Sequence, residues 1–245
     1  AGSDTLDGGD GNDTLDYSGL TGIGGVSTIL NGENASVVIV DGGDDDTISN
    51  IENLTGSVGN DTLGGDTSDN RLLGLDGDDE FIASEGADVM QGGEGTDTVD
   101  YSTLSTVDAI SVQLQGVAET TVIIDGGEND TISAIENVVG TSGNDTLTGD
   151  DAQNRLEGRA GDDVLDGGDG ADTLLGGDGE DLLIASSGAD VADGGADLDT
   201  VDYSGLSSGQ SIDVDLAGSS DATVTIANGD DETIRNIENI IATDE

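Results

Sequence analysis

Acidic and amide side chains recur at one fixed position of a nine-residue repeat. Five nonamers run without a gap from Gly56 to Asp100, and seven more run from Gly140 to Asp202. Their shared pattern is G-G-x-G-x-D-x-U-x, in which U is usually a large apolar residue. The sixth positions of the two runs are Asp61, Asn70, Asp79, Asp88, Asp97, Asp145, Asn154, Asp163, Asp172, Asp181, Asp190 and Asp199. Asp4 and Asp13 hold this position near the N-terminus, and Asp46 and Asp130 lie in DTI segments that follow the repeats. Oxygen ligands in so regular an array indicate binding of hard metal cations.

The composition limits which metal ions and which classes of function are possible. The chain of 245 residues has 55 Asp and Glu, 4 Arg, no His and no Cys, and a formal net charge of -51. Zinc and copper therefore lack the nitrogen and sulfur ligands they prefer, whereas calcium takes about six to eight oxygens in flexible geometry. Without His or Cys, no Ser-His-Asp or Cys-His catalysis can occur, and we expect the protein not to be an enzyme. So acidic a surface excludes unaided binding to nucleic acid, and no segment has the ~20 apolar residues needed for membrane insertion.

Pairs of nonamers form the structural unit. The run lengths are five and seven, and the DYS and IEN motifs both recur at intervals of 84 and 102 residues, which differ by two nonamers. One coil therefore holds 18 residues with two turns. The glycines permit the tight turn, and the three residues after it form a strand that points U inward. These inward positions, from Leu63 to Val99 and from Leu147 to Val201, predict the core.

Stacking of these coils makes a metal necessary. The sixth residue of one nonamer lies above that of the next but one, about 5 Å away by strand spacing. Two carboxylates at this distance repel by roughly 3 kcal/mol at an effective dielectric of 20. A calcium ion between them reverses the sign, so we expect about eight ions in the two complete runs. Asn70 and Asn154 hold equivalent positions, and we expect their sites to be weaker or differently coordinated.

The segments between DYS and IEN predict strands. Val26 to Leu30 and Val37 to Val40 alternate apolar with polar residues in the first, as Ile110 to Leu114 and Thr121 to Ile124 do in the second. The third repeats the pattern from Ile212 to Leu216. Its NGDDETI sequence has Glu232 where the others have Asp46 and Asp130, which puts a calcium site there in doubt.

Nonamers such as GGDGNDTLD, GGDGADTLL, GGDGEDLLI and GGEGTDTVD resemble the RTX repeats of bacterial proteins exported by type I secretion, for which G-G-x-G-x-D-x-U-x is a calcium-binding signature. The resemblance implies an all-β fold, a right-handed parallel β-roll or β-solenoid, with calcium between adjacent turns. It also implies that the precursor uses the type I secretion machinery, is exported unfolded and folds outside the cell. GDTSDNRLL, GDDAQNRLE, ASEGADVMQ, ASSGADVAD and GGADLDTVD each lack some of the glycines.

We divide the chain into three roll segments joined by strand-rich linkers: residues 1–55, 56–139 and 140–245. Because the chain begins with Ala1 rather than Met, we expect a fragment or a processed piece. Two functions fit a secreted or cell-surface protein of this kind. One is an extracellular scaffold, adhesin stalk or filament component, with which self-association is compatible. The other is a calcium-dependent secretion and folding module of a larger exported enzyme or toxin.

Overall fold

The computed structural model describes residues 2–20, 24–104, 109–184, 186–206, 211–214, 221–227 and 229–242, and these form strands and turns with no helix. Leu216, expected in a linker strand, lies outside the described residues. The first strands are β1 (Thr5–Asp7), β2 (Thr14–Asp16), β3 (Val26–Ile29), β4 (Ser36–Val40), β5 (Asp46–Ser49), β6 (Asn53–Thr55), β7 (Thr62–Gly64), β8 (Arg71–Asp76), β9 (Glu80–Ile82), β10 (Val89–Glu94), β11 (Thr98–Asp100), β12 (Ile110–Gln113) and β13 (Thr120–Ile124). The others are β14 (Asp130–Ser133), β15 (Asn137–Val139), β16 (Thr146–Thr148), β17 (Arg155–Ala160), β18 (Val164–Asp166), β19 (Thr173–Asp178), β20 (Leu182–Ile184), β21 (Val191–Ala196), β22 (Thr200–Asp202), β23 (Ile212–Asp213), β24 (Ala222–Ile226), β25 (Glu232–Arg235) and β26 (Asn239–Ile241).

The chain divides into two compact units. The first contains Ala1–Leu104 and Val117–Ile135, and the second contains Ser105–Gly116 and Glu136–Glu245. Within the first unit, one sheet has the strand order β1-β5-β4-β3-β7-β9-β11 and the other β2-β6-β8-β10-β14-β13. Within the second unit, the orders are β15-β17-β19-β21-β25-β24-β23 and β12-β16-β18-β20-β22-β26. The division into three segments at residues 55 and 139 stays a prediction.

Strands of the nonamer runs pair in parallel with an offset of 18 residues, which confirms the β-roll. Leu72 lies opposite Met90 in one sheet of the first unit, and Leu63 lies opposite Phe81 in the other. In the second unit, Leu156 pairs with Leu174. Each coil therefore contributes one inward residue to each sheet. These columns are the core, and their side chains in the two runs are at most 4% exposed.

The linkers are part of the sheets. In the first linker, β3 pairs with β7 of the following run, β4 pairs antiparallel with both β3 and β5, and β5 pairs with β1 of the preceding coil. The IEN strand β6 pairs with β2 on one side and with β8 on the other. The third linker repeats the contact with the preceding coils, because β25 pairs with β21 and β26 pairs with β22. Each unit thus keeps continuous ladders where the nonamer pattern is interrupted.

Candidate metal sites in the turns

The sixth residue of each nonamer ends the turn and lies just before the strand, where the side chain is buried. In the two complete runs, all twelve predicted ligands from Asp61 to Asp199 are at most 3% exposed. Asp130 is equally buried and Asp46 is 9% exposed, whereas Asp13 is half-buried and Asp4 is exposed. A carboxylate this deep is costly unless it is paired or hydrogen-bonded. Each buried carboxylate in these turns therefore needs hydrogen-bond donors or a cation as partners.

Backbone amides supply one partner to most of these carboxylates. The N–H of Asp163 donates to Oδ1 of Asp181 at 2.9 Å, and the N–H of Asp61 donates to Oδ1 of Asp79 at 2.8 Å, in each case across 18 residues. The same contact links Asp61–Asp79–Asp97 and Asn70–Asp88–Asp130 in the first unit, and Asp145–Asp163–Asp181–Asp199 and Asn154–Asp172–Asp190 in the second. The structure therefore brings the predicted residues together in two ladders per unit.

Acids of the linkers end these ladders. The N–H of Asp4 donates to Asp46 Oδ1 at 2.9 Å, which places Asp46 one coil after Asp4. On the other edge, the N–H of Asp13 donates to Glu52 Oε2 at 2.8 Å, and the N–H of Asp199 donates to Glu238 Oε2 at 3.0 Å. Glu52 and Glu238 are not among the ligands predicted from the repeat pattern. The signal was present, because each IEN glutamate follows the last repeat aspartate by the same 39 residues.

Two of the three DYS tyrosines donate a hydrogen bond to a linker acid. Tyr17 donates its hydroxyl to Asp46 Oδ2 at 2.8 Å, and Tyr203 donates to Glu232 Oε2 at 2.7 Å. Both tyrosines are buried. Their hydroxyls also hold the acids that end the ladders. Burial raises the pKa of Glu232 to about 7. Asp46 has both oxygens occupied, one by an N–H and one by a hydroxyl.

A second group of carboxylates has one oxygen with no donor. The Oδ2 atoms of Asp13, Asp79, Asp163, Asp172, Asp181, Asp190 and Asp199 are buried and accept no hydrogen bond from the described residues. Burial is the main cause that raises the pKa of Asp163 to about 8, of Asp79 and Asp172 to about 7, and of Asp199 to about 6. A buried anionic oxygen without a donor requires a cation or a proton.

The first glycine of the nonamer leaves a space beside this oxygen. A Cβ on Gly158 would overlap Asp163 Oδ2 and lie 2.8 Å from the carbonyl oxygen of Gly176. A Cβ on Gly176 would overlap Asp181 Oδ2 and lie 2.5 Å from the carbonyl oxygen of Gly194. Carboxylate and carbonyl oxygens converge here, and they are the ligands that calcium accepts in flexible geometry. The residues therefore fit a calcium ion, which the Asp carboxylate and the glycine carbonyl would hold. No three acidic side chains of the described residues form a common cluster.

The family model for the RTX calcium-binding nonapeptide repeat (4 copies) matches residues 1–19, 49–79, 64–99, 139–174 and 175–205, which together cover just over half of the chain. The chain belongs to this RTX family. The matches cover the nonamers that contain the open-sided carboxylates described above. RTX membership and the buried oxygen array together identify the turns as calcium-binding repeats.

Among solved structures, an extracellular lipase, LipA from Serratia marcescens, is 18% identical, with a TM-score of 0.30; the match covers 76% of this chain and 38% of the lipase. At this TM-score the similarity supports no conclusion about fold or activity. A search of curated proteins found no match. The described part of the chain contains no apolar helix long enough to span a bilayer.

Five predicted ligands of the RTX runs differ from the open-sided group. Asp88 Oδ2 accepts the hydroxyl of Ser84 at 2.7 Å, and Ala83 stands where most nonamers begin with glycine. The other four are Asp61, Asn70, Asp145 and Asn154, and they belong to the first coil of each run. Their oxygens are occupied by donors of the chain itself. The runs therefore contain two kinds of turn.

Proposed function

We propose that this chain is a structural segment of an exported protein, which calcium folds outside the cell and which works there as a scaffold. The observation that carries the proposal is the row of buried, donor-free carboxylate oxygens. At Asp79, Asp163 and Asp181 this oxygen lies beside a space that a glycine carbonyl borders. A chain with a net charge of -51 cannot bring these groups together without counter-charge. Calcium supplies that charge, and the Asp carboxylates and turn carbonyls hold the ion.

Continuity of the sheets supports a scaffold. In each unit the linker strands pair with coils of the roll, so hydrogen bonds cross the interruptions in the nonamer pattern. A roll in which each coil contacts mainly its neighbours is mechanically one-dimensional and suits a stalk or filament component. The proposal includes no catalytic role, because the chain has neither His nor Cys. Self-association belongs to this proposal as a property to be measured.

Export and folding are linked by the calcium affinity that such sites need. Extracellular calcium modules bind with a Kd of about 10⁻⁴–10⁻³ M, far above the calcium concentration of a cytosol. Sites in this range stay empty inside the cell, so the carboxylates keep the chain unfolded and able to pass through the type I machinery. Outside the cell the same carboxylates bind calcium and the roll forms.

Calcium titration tests the folding part of this proposal. Circular dichroism of the chain should show a coil in EDTA, β-structure in millimolar calcium and again a coil in millimolar magnesium. Isothermal calorimetry measures the binding of each ion. Magnesium should fail because it requires a tight octahedron and gives up water reluctantly. A chain that keeps its β-spectrum in EDTA would refute the proposal that calcium drives the fold.

Single-molecule stretching tests the scaffold part. In calcium, the chain should resist extension and unfold in discrete steps, whereas in EDTA it should extend as a coil without steps. Sedimentation in calcium then reports whether the folded chains associate. Folding in calcium without mechanical resistance would count against the scaffold and in favour of a folding module for a larger exported enzyme or toxin.

A further inference from the structure

The first coil of each run is built differently from the coils that follow it. These first coils are residues 56–73, GSVGNDTLGGDTSDNRLL, and residues 140–157, GTSGNDTLTGDDAQNRLE. They belong to different units, yet both have a hydroxyl residue at position 2 of the first nonamer and Asn at position 6 of the second. We call their turns closed turns. We call a turn with a donor-free Oδ2 an open turn.

In the closed turns that contain Asp, the side chain at position 2 saturates the carboxylate. Asp145 Oδ2 accepts the N–H of Thr141 at 2.7 Å, and Oδ1 accepts the Thr141 hydroxyl at 3.1 Å and the N–H of Ile110 at 2.7 Å. In the other unit, Ser57 gives its N–H to Asp61 Oδ2 at 2.6 Å and its hydroxyl to Asp61 Oδ1 at 2.9 Å. Hydrogen bonds of the chain thus occupy both oxygens, including the Oδ2 that an open turn leaves without a donor.

In the closed turns that contain Asn, an amide donor takes the place of a carboxylate oxygen. Asn154 Oδ1 accepts the N–H of Asp150 at 2.8 Å, while Nδ2 donates to the carbonyl oxygen of Glu136 at 2.8 Å. Asn70 makes the same two contacts, with the N–H of Asp66 at 2.7 Å and the carbonyl of Glu52 at 2.9 Å. The coil before each Asn is the IEN segment, which presents a carbonyl oxygen instead of an N–H. An aspartate at this position would place a carboxylate oxygen beside that carbonyl oxygen, and the two would repel each other.

Backbone conformation separates the two kinds of turn independently of side chains. At position 2 of the open turns that end in Asp79, Asp163 and Asp181, φ is positive, with values of 94° at Leu75, 82° at Arg159 and 125° at Gly177. Leu75 and Arg159 adopt this region although they are not glycine, which costs about 1–3 kcal/mol each. Ser57 and Thr141 are not among the described residues with positive φ. Their negative φ lets the N–H of position 2 bond to the carboxylate.

We propose that the first coil of each run is a calcium-independent cap, in which hydroxyl, amide and backbone donors of the chain replace the ion, and that calcium sites begin with the second coil. This inference rests on the proposed function, because it divides the turns of one calcium-folded roll. The caps give each run a coil whose turns are satisfied without calcium. Calcium-bearing coils then stack on that coil from Asp79 and Asp163 onward.

Two adjacent rungs of one ladder provide the test. Asp145→Asn changes a closed turn, and Asp163→Asn makes the same chemical change in the open turn one coil later. Native mass spectrometry in calcium counts the bound ions, and the midpoint of folding against calcium measures their effect. We expect Asp145→Asn to bind as many ions as the wild type, although its amide group now faces an N–H donor and lowers the stability of the fold. Asp163→Asn should bind at least one ion fewer.

Loss of an ion from Asp145→Asn would overturn the inference, as would an unchanged ion count in Asp163→Asn. If Asp145→Asn fails to fold, Thr141→Val provides a second test. Its matched control is Thr146→Val, because Thr146 is exposed. Thr141→Val should destabilise the fold by the same factor in calcium and in EDTA with an osmolyte. An effect confined to calcium would refute the cap. If the wild type itself binds no calcium, the proposed function fails, which is a different outcome.

Discussion

Asp181→Asn in an open turn tests whether a donor-free oxygen is a calcium ligand. Oδ1 of Asp181 accepts the N–H of Asp163 at 2.9 Å, whereas Oδ2 has no donor and faces the space beside Gly176 and the Gly194 carbonyl. Asparagine keeps the shape and one acceptor oxygen but places an amide donor where the anionic oxygen was. We expect the variant to bind at least one calcium ion fewer. We also expect it to fold more readily than the wild type when calcium is absent.

The two effects have opposite signs and similar sizes. At a calcium concentration 100 times the Kd, one site stabilises the folded state by about 2.7 kcal/mol, which is about a hundredfold in the folding equilibrium. Without calcium, a buried polar group with no partner costs about 1–3 kcal/mol. An amide at residue 181 can donate to a turn carbonyl, as Asn154 does to Glu136. The variant is therefore less stable than the wild type in calcium and more stable in EDTA.

Urea unfolding measures the change in stability caused by Asp181→Asn in calcium, and folding by trimethylamine oxide measures it in EDTA. Native mass spectrometry counts the bound ions. Osmolytes of this kind favour burial and bring the metal-free fold into range. Glu180→Gln removes one charge from the adjacent exposed residue and serves as the control. An unchanged ion count for Asp181→Asn, or the same sign of effect in calcium and in EDTA, would refute the assignment of the carboxylate as a ligand.

Three further predictions use the same assays. Gly176→Ala fills the space beside the Asp181 carboxylate and should remove a calcium ion. The control is Gly205→Ala, whose Cβ would meet nothing within 4 Å, and it should bind as many ions as the wild type. Equal ion counts for the two variants would contradict this prediction. Burial raises the pKa of Asp163 to about 8, so the folded metal-free chain binds protons more tightly than the unfolded chain. The stability of the metal-free fold in EDTA should therefore fall as the pH rises from 4 to 8. Calcium affinity should rise over the same pH range. A metal-free fold that gains stability over this range would refute that sign. Tyr203→Phe removes the 2.7 Å hydrogen bond to buried Glu232 and should destabilise the calcium-bound fold by about 1–3 kcal/mol, measured by urea unfolding. A change below about 0.5 kcal/mol would show that Glu232 has another donor or cation beside it.

Much of the fold follows from the amino-acid sequence. A nonamer with turn glycines and one apolar residue predicts a short strand, and intervals of 84 and 102 residues predict an 18-residue coil. The structure confirms the roll through parallel pairs such as Leu156 with Leu174. Prediction succeeds here because neighbouring coils repeat one local pattern. Contacts between them therefore have the same separation as the repeat.

Contacts across the linkers were harder to predict. Glu52 meets the N–H of Asp13 and Tyr17 meets Asp46 because the linker returns its last strands to the preceding coils. Alternation of apolar and polar residues shows which face of a linker strand is buried, but it does not say which coil the strand joins. The linker acids therefore became recognisable as ends of the ladders only in the folded chain.

The sequence by itself determined that this protein is an RTX repeat protein whose acidic turns stack at a spacing of 18 residues, because one local pattern, repeated, specifies both the coil and its charge. The tertiary structure decided which of those turns leaves a buried carboxylate oxygen without a donor. Asp145 and Asp163 have the same residue type and the same position in the nonamer, yet the first is saturated by Thr141 and the second has a donor-free oxygen. That difference arises at position 2 of the nonamer. Thr141 donates its N–H and its hydroxyl to Asp145, whereas Arg159 has no hydroxyl and adopts a φ of 82°.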